Sequence, residues 1–164
     1  MIRFVAPSLI AMFLASPAFA LSCLPWGPTD AYLEAADSKS NFVVVDGDLT
    51  FDDTLLPKTD WAHQENTPAA TNIPAHVRGQ ALSRAGYLTP FDADVTLKVL
   101  CYGPWCSGAT DGGKYVMFLE QRDTGYELQV NPCGGFAFDA SDGAAAKQVL
   151  QCHQGQRCKP RTLN

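Results

Sequence analysis

The chain has 164 residues, six cysteines and a formal charge of −5, from 12 basic and 17 acidic side chains. The basic residues are scattered instead of forming a stripe, which argues against nucleic acid or an anionic membrane surface as partner. The length suits one domain with a sizeable core, and no later stretch reaches the roughly twenty apolar residues of a membrane span.

Residues 1–20 read as a cleavable export signal. Arg3 precedes the apolar stretch "FVAPSLIAMFLA", and Ala18-Phe19-Ala20 forms an A-x-A cleavage site. Cleavage after Ala20 would leave 144 residues (164 less 20) in a single domain over 21–164, with 11 basic residues (12 less Arg3) against 17 acidic, a charge of −6. The expectation is an exported protein, periplasmic or secreted, and monomeric.

The first predicted element of that domain is a helix over 28–37, "PTDAYLEAAD", with Pro near its start and Tyr32, Leu33 and Ala36 at helical spacing. A strand follows at 41–53, "NFVVVDGDLTFDD", where Val43, Val45, Leu49 and Phe51 share a parity and Gly47 marks a bulge or bend. A bent first strand is what a small barrel needs in order to close. Residues 54–74 carry three prolines and no period, and so predict a long exposed loop.

Strand signals resume at 75–88, 94–103, 114–122 and 125–138, and Asp123-Thr124-Gly125 suits a hairpin turn. An Ala-rich helix over 141–152, capped by Ser141 or Asp142, leads into the tight "CHQGQRC" segment, where Gly155 can supply a turn. The predicted class is all-β with flanking helices: a five-stranded antiparallel barrel over about 41–138, then a C-terminal helix and disulfide loop over about 141–164.

All six cysteines (Cys23, Cys101, Cys106, Cys133, Cys152 and Cys158) fall after the signal, and an even count in an exported chain reads as a disulfide framework. No Cys-x-x-Cys occurs, so neither a thioredoxin-type redox pair nor a zinc knuckle is indicated. Cys23 is also tested as a lipid anchor. Ser22 would be acceptable before a lipidated cysteine, but Ala20 stands where a lipobox wants Leu, and lipidation would leave five cysteines.

Ser22-Cys23 with an aromatic and Pro-rich step, a short helix, a bent acidic strand, "GKYVMF" at 113–118 and "LQVNPC" at 128–133 together resemble the netrin-like domain of tissue inhibitors of metalloproteinases. The likeness spans most of 22–134 at the level of pattern. It implies an OB-fold barrel with helices packed beside it, and an inhibitor-like or binding activity. It also implies that Cys23 pairs with Cys133, which leaves Cys101 with Cys106 and Cys152 with Cys158 in two short loops that close readily. A shuffled pairing such as Cys106 with Cys152 stays open. Inhibitors of this family place cysteine first, so that its α-amine chelates the protease zinc. Here Leu21 and Ser22 precede Cys23, which removes that amine unless processing ends after Ser22.

Chemistry of other kinds finds little purchase. Asp46, Asp48 and Asp52, with Asp53, resemble the spacing of a calcium loop, but the glycine and distant glutamate of an EF-hand are missing, and in a strand these carboxylates point to solvent. His63, His76 and His153 lie in unrelated segments with no neighbour at metal-ligand spacing. No catalytic motif is visible and no cofactor is implied.

Trp26, Trp105 and Tyr102 sit beside Pro or Gly, and Trp61 lies between Asp60 and Ala62, in predicted loops where a barrel of this type often binds ligand by stacking. The plainer reading is that Trp26 and Trp105 cover the barrel ends. The sequence therefore predicts a non-catalytic module that binds an unknown protein, peptide or glycan, through Trp26, Tyr102, Trp105 and Phe136 around "SCLPW" and "PCGGF". A structural accessory of the cell envelope, and a hydrolase with a convergent site, are the other two readings.

Overall fold

The computed structural model describes residues 21–161, so the predicted export signal lies outside the described residues. Helix α1 (Pro28–Asp37) has the predicted limits, since Pro28 lacks an N–H that would be unpaired in the first turn anyway. Then come β1 (Phe42–Phe51), single 3-10 turns at Asp53–Leu55 and Gln64–Asn66, β2 (Ala70–Ser83), β3 (Gly86–Tyr102) and β4 (Trp105–Cys106). The chain continues through β5 (Gly113–Arg122), β6 (Gly125–Asn131), β7 (Gly134–Gly135), β8 (Ala137–Asp139) and α2 (Ala144–His153). The result is a mostly antiparallel sheet with two flanking helices and three disulfides.

The five longer strands pair in the order β1, β2, β3, β6, β5 and back to β1. Closure is uneven. The β2–β3 ladder runs from Ala70↔Leu100 to Ser83↔Gly86, whereas β5 and β6 share only Glu120↔Glu127 to Arg122↔Gly125. The expected wholly antiparallel arrangement needs one correction: β3 and β6 run parallel, from Val95↔Tyr126 to Val99↔Val130. Directions cannot alternate all round a ring with an odd number of strands, so one neighbouring pair must run the same way.

The β2–β3 hairpin also corrects the predicted strand limits. The run 75–88 holds the turn at Arg84-Ala85, and five residues of the predicted loop 54–74 belong to β2. Two prolines hid these extensions. Pro74 precedes Ala75, where pairing of β2 with β1 begins, and Pro90 precedes Val95, where pairing of β3 with β6 begins. Each therefore lies on a stretch with a neighbour on one side only, where a missing N–H costs no ladder bond. The predicted strand 125–138 is likewise three short strands, broken where Pro132 and the two glycines turn the chain. Helix α2 begins at Ala144, with Gly143 at its cap and the Asp142 carboxylate accepting from the Ala144 N–H.

The buried residues form one core, with Val45 and Leu49 of β1, Val77 of β2, Leu97 of β3 and Leu128 of β6 fully buried. In β5 the four residues Val116 to Leu119 are all buried. Met117 and Leu119 pair with Val45 and Val43, while Phe118 lies on the opposite face, against Phe136 and Phe138. This strand is covered on both sides, so its hydrophobic run does not alternate.

Gly47 has a different role from the predicted bulge. The β1–β2 register runs unbroken from Val45↔Ala81 to Phe51↔Ala75, and the register shift falls at Ala81/Leu82, between β2 and β3. Gly47 instead faces Gly79. A Cβ on Gly47 would lie 2.7 Å from the Gly79 Cα, and one on Gly79 would lie 2.6 Å from the Gly47 Cα, with the Arg78 and Asp46 carbonyl oxygens closer still. Any side chain at either position must push two backbones apart. Gly79→Ala is expected to destabilise the protein by roughly 2–3 kcal/mol, read as a lower urea midpoint with unchanged slope.

Candidate functional site

The Cys23–Cys133 disulfide ties the segment before α1 to the turn between β6 and β7. Within that turn the Asn131 carboxamide oxygen accepts from the Cys133 N–H at 2.9 Å. Trp26 lies across the following glycines, and its indole N–H donates to the Gly135 carbonyl at 2.7 Å. Gly134 has φ +137°, and a Cβ there would run into the indole ring. No other residue fits both demands.

The aromatics predicted to form one binding surface divide into two groups. Trp26 stands edge-on to Phe136, with centroids 6.4 Å apart, and Phe136 in turn packs on Phe42 and Phe118. Both belong to the packing of the core. Trp105 sits at the tip of the β3–β4 hairpin, which the Cys101–Cys106 disulfide closes with Trp105 opposite Tyr102. Tyr102 is exposed but does not line the cleft that Trp105 borders.

That cleft, of about 560 Å³, separates the hairpin tip from the loop after β1. Trp105 and Pro104 form one wall, Pro57 and Trp61 the other, and Asn131 and Pro132 lie beside them. The walls are tied together where the Thr59 hydroxyl donates to the Pro104 carbonyl at 2.6 Å. Trp61 is 65% exposed. A second cleft of about 300 Å³ lies around Cys23 and Trp26, and Asn131 lines both. The two hollows therefore meet at Asn131, two residues from the stapled Cys133.

The acidic residues of β1 have local partners. Asp46 is partly buried, with Lys114 Nζ 3.8 Å away, whereas Asp48, Asp52 and Asp53 are exposed as expected. Burial and the Asp46 carboxylate together hold the Tyr87 phenol well above its ordinary range. Asp52 accepts from the Thr54 hydroxyl at 2.6 Å and from the Thr54 N–H at 3.0 Å, which holds its carboxyl below the usual range. Among the described residues, no three His, Cys, Asp or Glu side chains are grouped to hold a metal ion.

The histidines acquire partners that the linear order conceals. His63 approaches Asp60 at 3.4 Å, and His153 Nδ1 lies 3.3 Å from the Tyr32 hydroxyl. His76 stands between two carboxylates, Nε2 to Asp92 and Nδ1 to Asp94, each at 2.9 Å. Arg78 Nε reaches the other Asp92 oxygen at 2.8 Å and holds that carboxyl low. These residues are cross-strand neighbours in the β2–β3 ladder, where His76 faces Asp94 and Arg78 faces Asp92. The signal was the hairpin register, which requires the strand limits first.

Comparison with family models, with curated proteins and with solved structures finds no match to this chain.

Two predictions come from this geometry. Replacing Cys23 and Cys133 together by Ala opens a loop with a sequence separation of 110, and should cost about 2–5 kcal/mol in urea unfolding. His76 titrates above its ordinary value near 6.5, chiefly through the Asp94 hydrogen bond, because only the imidazolium can donate from both ring nitrogens. Its contribution to stability is complete below the unfolded-state pKa and is lost as pH rises through the raised folded value. An NMR titration should show the raised pKa in the wild type and a lower one in Asp94→Asn.

Proposed function

We propose that the protein is an exported, non-catalytic binding module built on an OB-type barrel, and that its ligand lies in the cleft between Trp61 and Trp105. The carrying observation is Trp61, a large aromatic left 65% exposed at the wall of a cleft whose two sides are tied by the Thr59 bond, with the opposite wall closed on itself by the Cys101–Cys106 disulfide. An exposed indole on a preformed wall is a ready contact surface, because little ordering remains to be done on binding. The volume also falls within the ~300–1,000 Å³ usual for ligand sites.

The strand ring with its single parallel pair supports the OB-type reading, and loops at the mouth of such barrels commonly bind ligands. Three disulfides suggest an oxidising compartment, and no helix among the described residues is long and apolar enough to cross a membrane. The Cys23–Cys133 staple supports a netrin-like relationship. In an inhibitor-like role, contact would come from the cleft, since Leu21 and Ser22 stand before Cys23.

Probing glycan and peptide arrays with the wild type and with Trp61→Ala tests the binding reading for either ligand class. One class should bind the wild type and lose about tenfold or more in the variant. Equal binding by both proteins, or product release from ester or glycoside substrates, would overturn it.

A further inference from the structure

We infer that the ligand of the Trp61–Trp105 cleft is an uncharged saccharide, an inference that rests on the binding reading above. Among the described residues no charged side chain lines this cleft, in a protein with 12 basic and 17 acidic residues; Leu21 also lines it, so cleavage after Ala20 would bring a single α-ammonium there. A cationic ligand would lose hydration there without gaining a counter-charge, and an anionic one would find only that terminal amine.

The wall chemistry then separates a sugar from a peptide. Pro57, Pro104 and Pro132 all line the cleft, and a proline has no N–H to donate. An extended peptide carries a carbonyl at every residue, and those turned toward the walls would be stripped of water with few donors to replace it. A pyranose ring is matched differently. Its apolar C–H face can cover an indole, while its hydroxyls lie around the ring edge, where they reach solvent or side-chain donors. Trp61 and Trp105, which both line the cleft, supply the indoles. Donors stand between the prolines: Asn131, whose oxygen is already taken by the Cys133 N–H, presents its amide hydrogens, and Ser107 presents a hydroxyl.

The smaller cleft is a poorer candidate for this role. Its tryptophan, Trp26, has already committed the indole N–H to Gly135 and packs edge-on to Phe136, and Glu34 brings a charge to its lining. The two hollows meet at Asn131, so the stacking site lies on the Trp61 side of the staple.

The test is a fluorescence and calorimetric titration of the full chain, as exported, with cellohexaose and chitohexaose. A proline-rich decapeptide and a sulfated oligosaccharide serve as comparators. At least one neutral saccharide should shift tryptophan emission and bind. Trp61→Ala should weaken that binding about tenfold or more, and Trp61→Phe, which keeps a ring, should weaken it less. Trp105→Ala should do the same, provided intact mass shows Cys101–Cys106 still formed; Leu88→Ala, exposed elsewhere, should change nothing.

Binding of the peptide alone, lost in Trp61→Ala, would overturn the saccharide inference and leave the binding reading standing. Preference for the sulfated sugar, or neutral-sugar binding indifferent to both tryptophans, would also overturn it. Binding to neither saccharide nor peptide would overturn it together with its cleft. Cleavage of a bound oligosaccharide would instead spare the saccharide class and sink the non-catalytic reading.

Discussion

Two α-carbons that carry no side chains meet where β1 lies against β2, and the rest of the sheet depends on that approach. Gly47 and Gly79 face each other with no room for a Cβ on either. Because β1 also pairs with β5 along its other edge, any spreading at this point would be felt by both halves of the ring. The surrounding strands supply the opposing pull. Val45 and Leu49 flank Gly47 on the core face and are fully buried, so the hydrophobic gain on either side holds the backbones at a distance only glycine allows.

The ends of the sheet depend on covalent ties, because short strands there offer few ladder bonds. Strands β4 and β7 have two residues each. Cys101–Cys106 closes the hairpin that ends in β4, Cys23–Cys133 holds the turn that leads into β7, and Cys152–Cys158 secures the chain after α2. Cys106 lines the larger cleft, and Cys23 and Cys133 line the smaller one. The proposed ligand surface is thereby kept rigid without being buried. Elsewhere the aromatic groups are used for packing: Trp26, Phe42, Phe118 and Phe136 form one contiguous set on the outer side of β5.

The opposite treatment of charge is visible on β2 and β3. His76 and Arg78, on a part of β2 paired with both β1 and β3, interlock with Asp92 and Asp94 on the stretch of β3 that has only β2 beside it. Exposed pairs of this kind contribute little individually. Their placement suits a different purpose, since charged side chains beside an edge discourage another strand from adding to it. The cleft, by contrast, has no charged side chain on its lining among the described residues. The protein thus separates a charged flank from a hollow of uncharged side chains, and that separation is the physical basis for the uncharged ligand proposed above.

Local patterns in the sequence determined a good deal. The limits of α1 followed from Pro28 and helical spacing, and the core face of β1 from the parity of Val45, Leu49 and Phe51. Both express rules that act over a few residues, where the chain's own geometry decides. Tertiary structure decided whatever depends on who the neighbours are. Pro74 and Pro90 read as breakers until the register showed each on a one-sided stretch, and Gly47 read as a bulge until Gly79 was found opposite. Trp26 and Trp105 look alike in sequence, each beside Pro or Gly, yet one is locked to Gly135 and the other borders an open cleft. A residue's type states what it can do, but whether its partner is backbone, core or solvent is settled by residues brought next to it from distant parts of the chain.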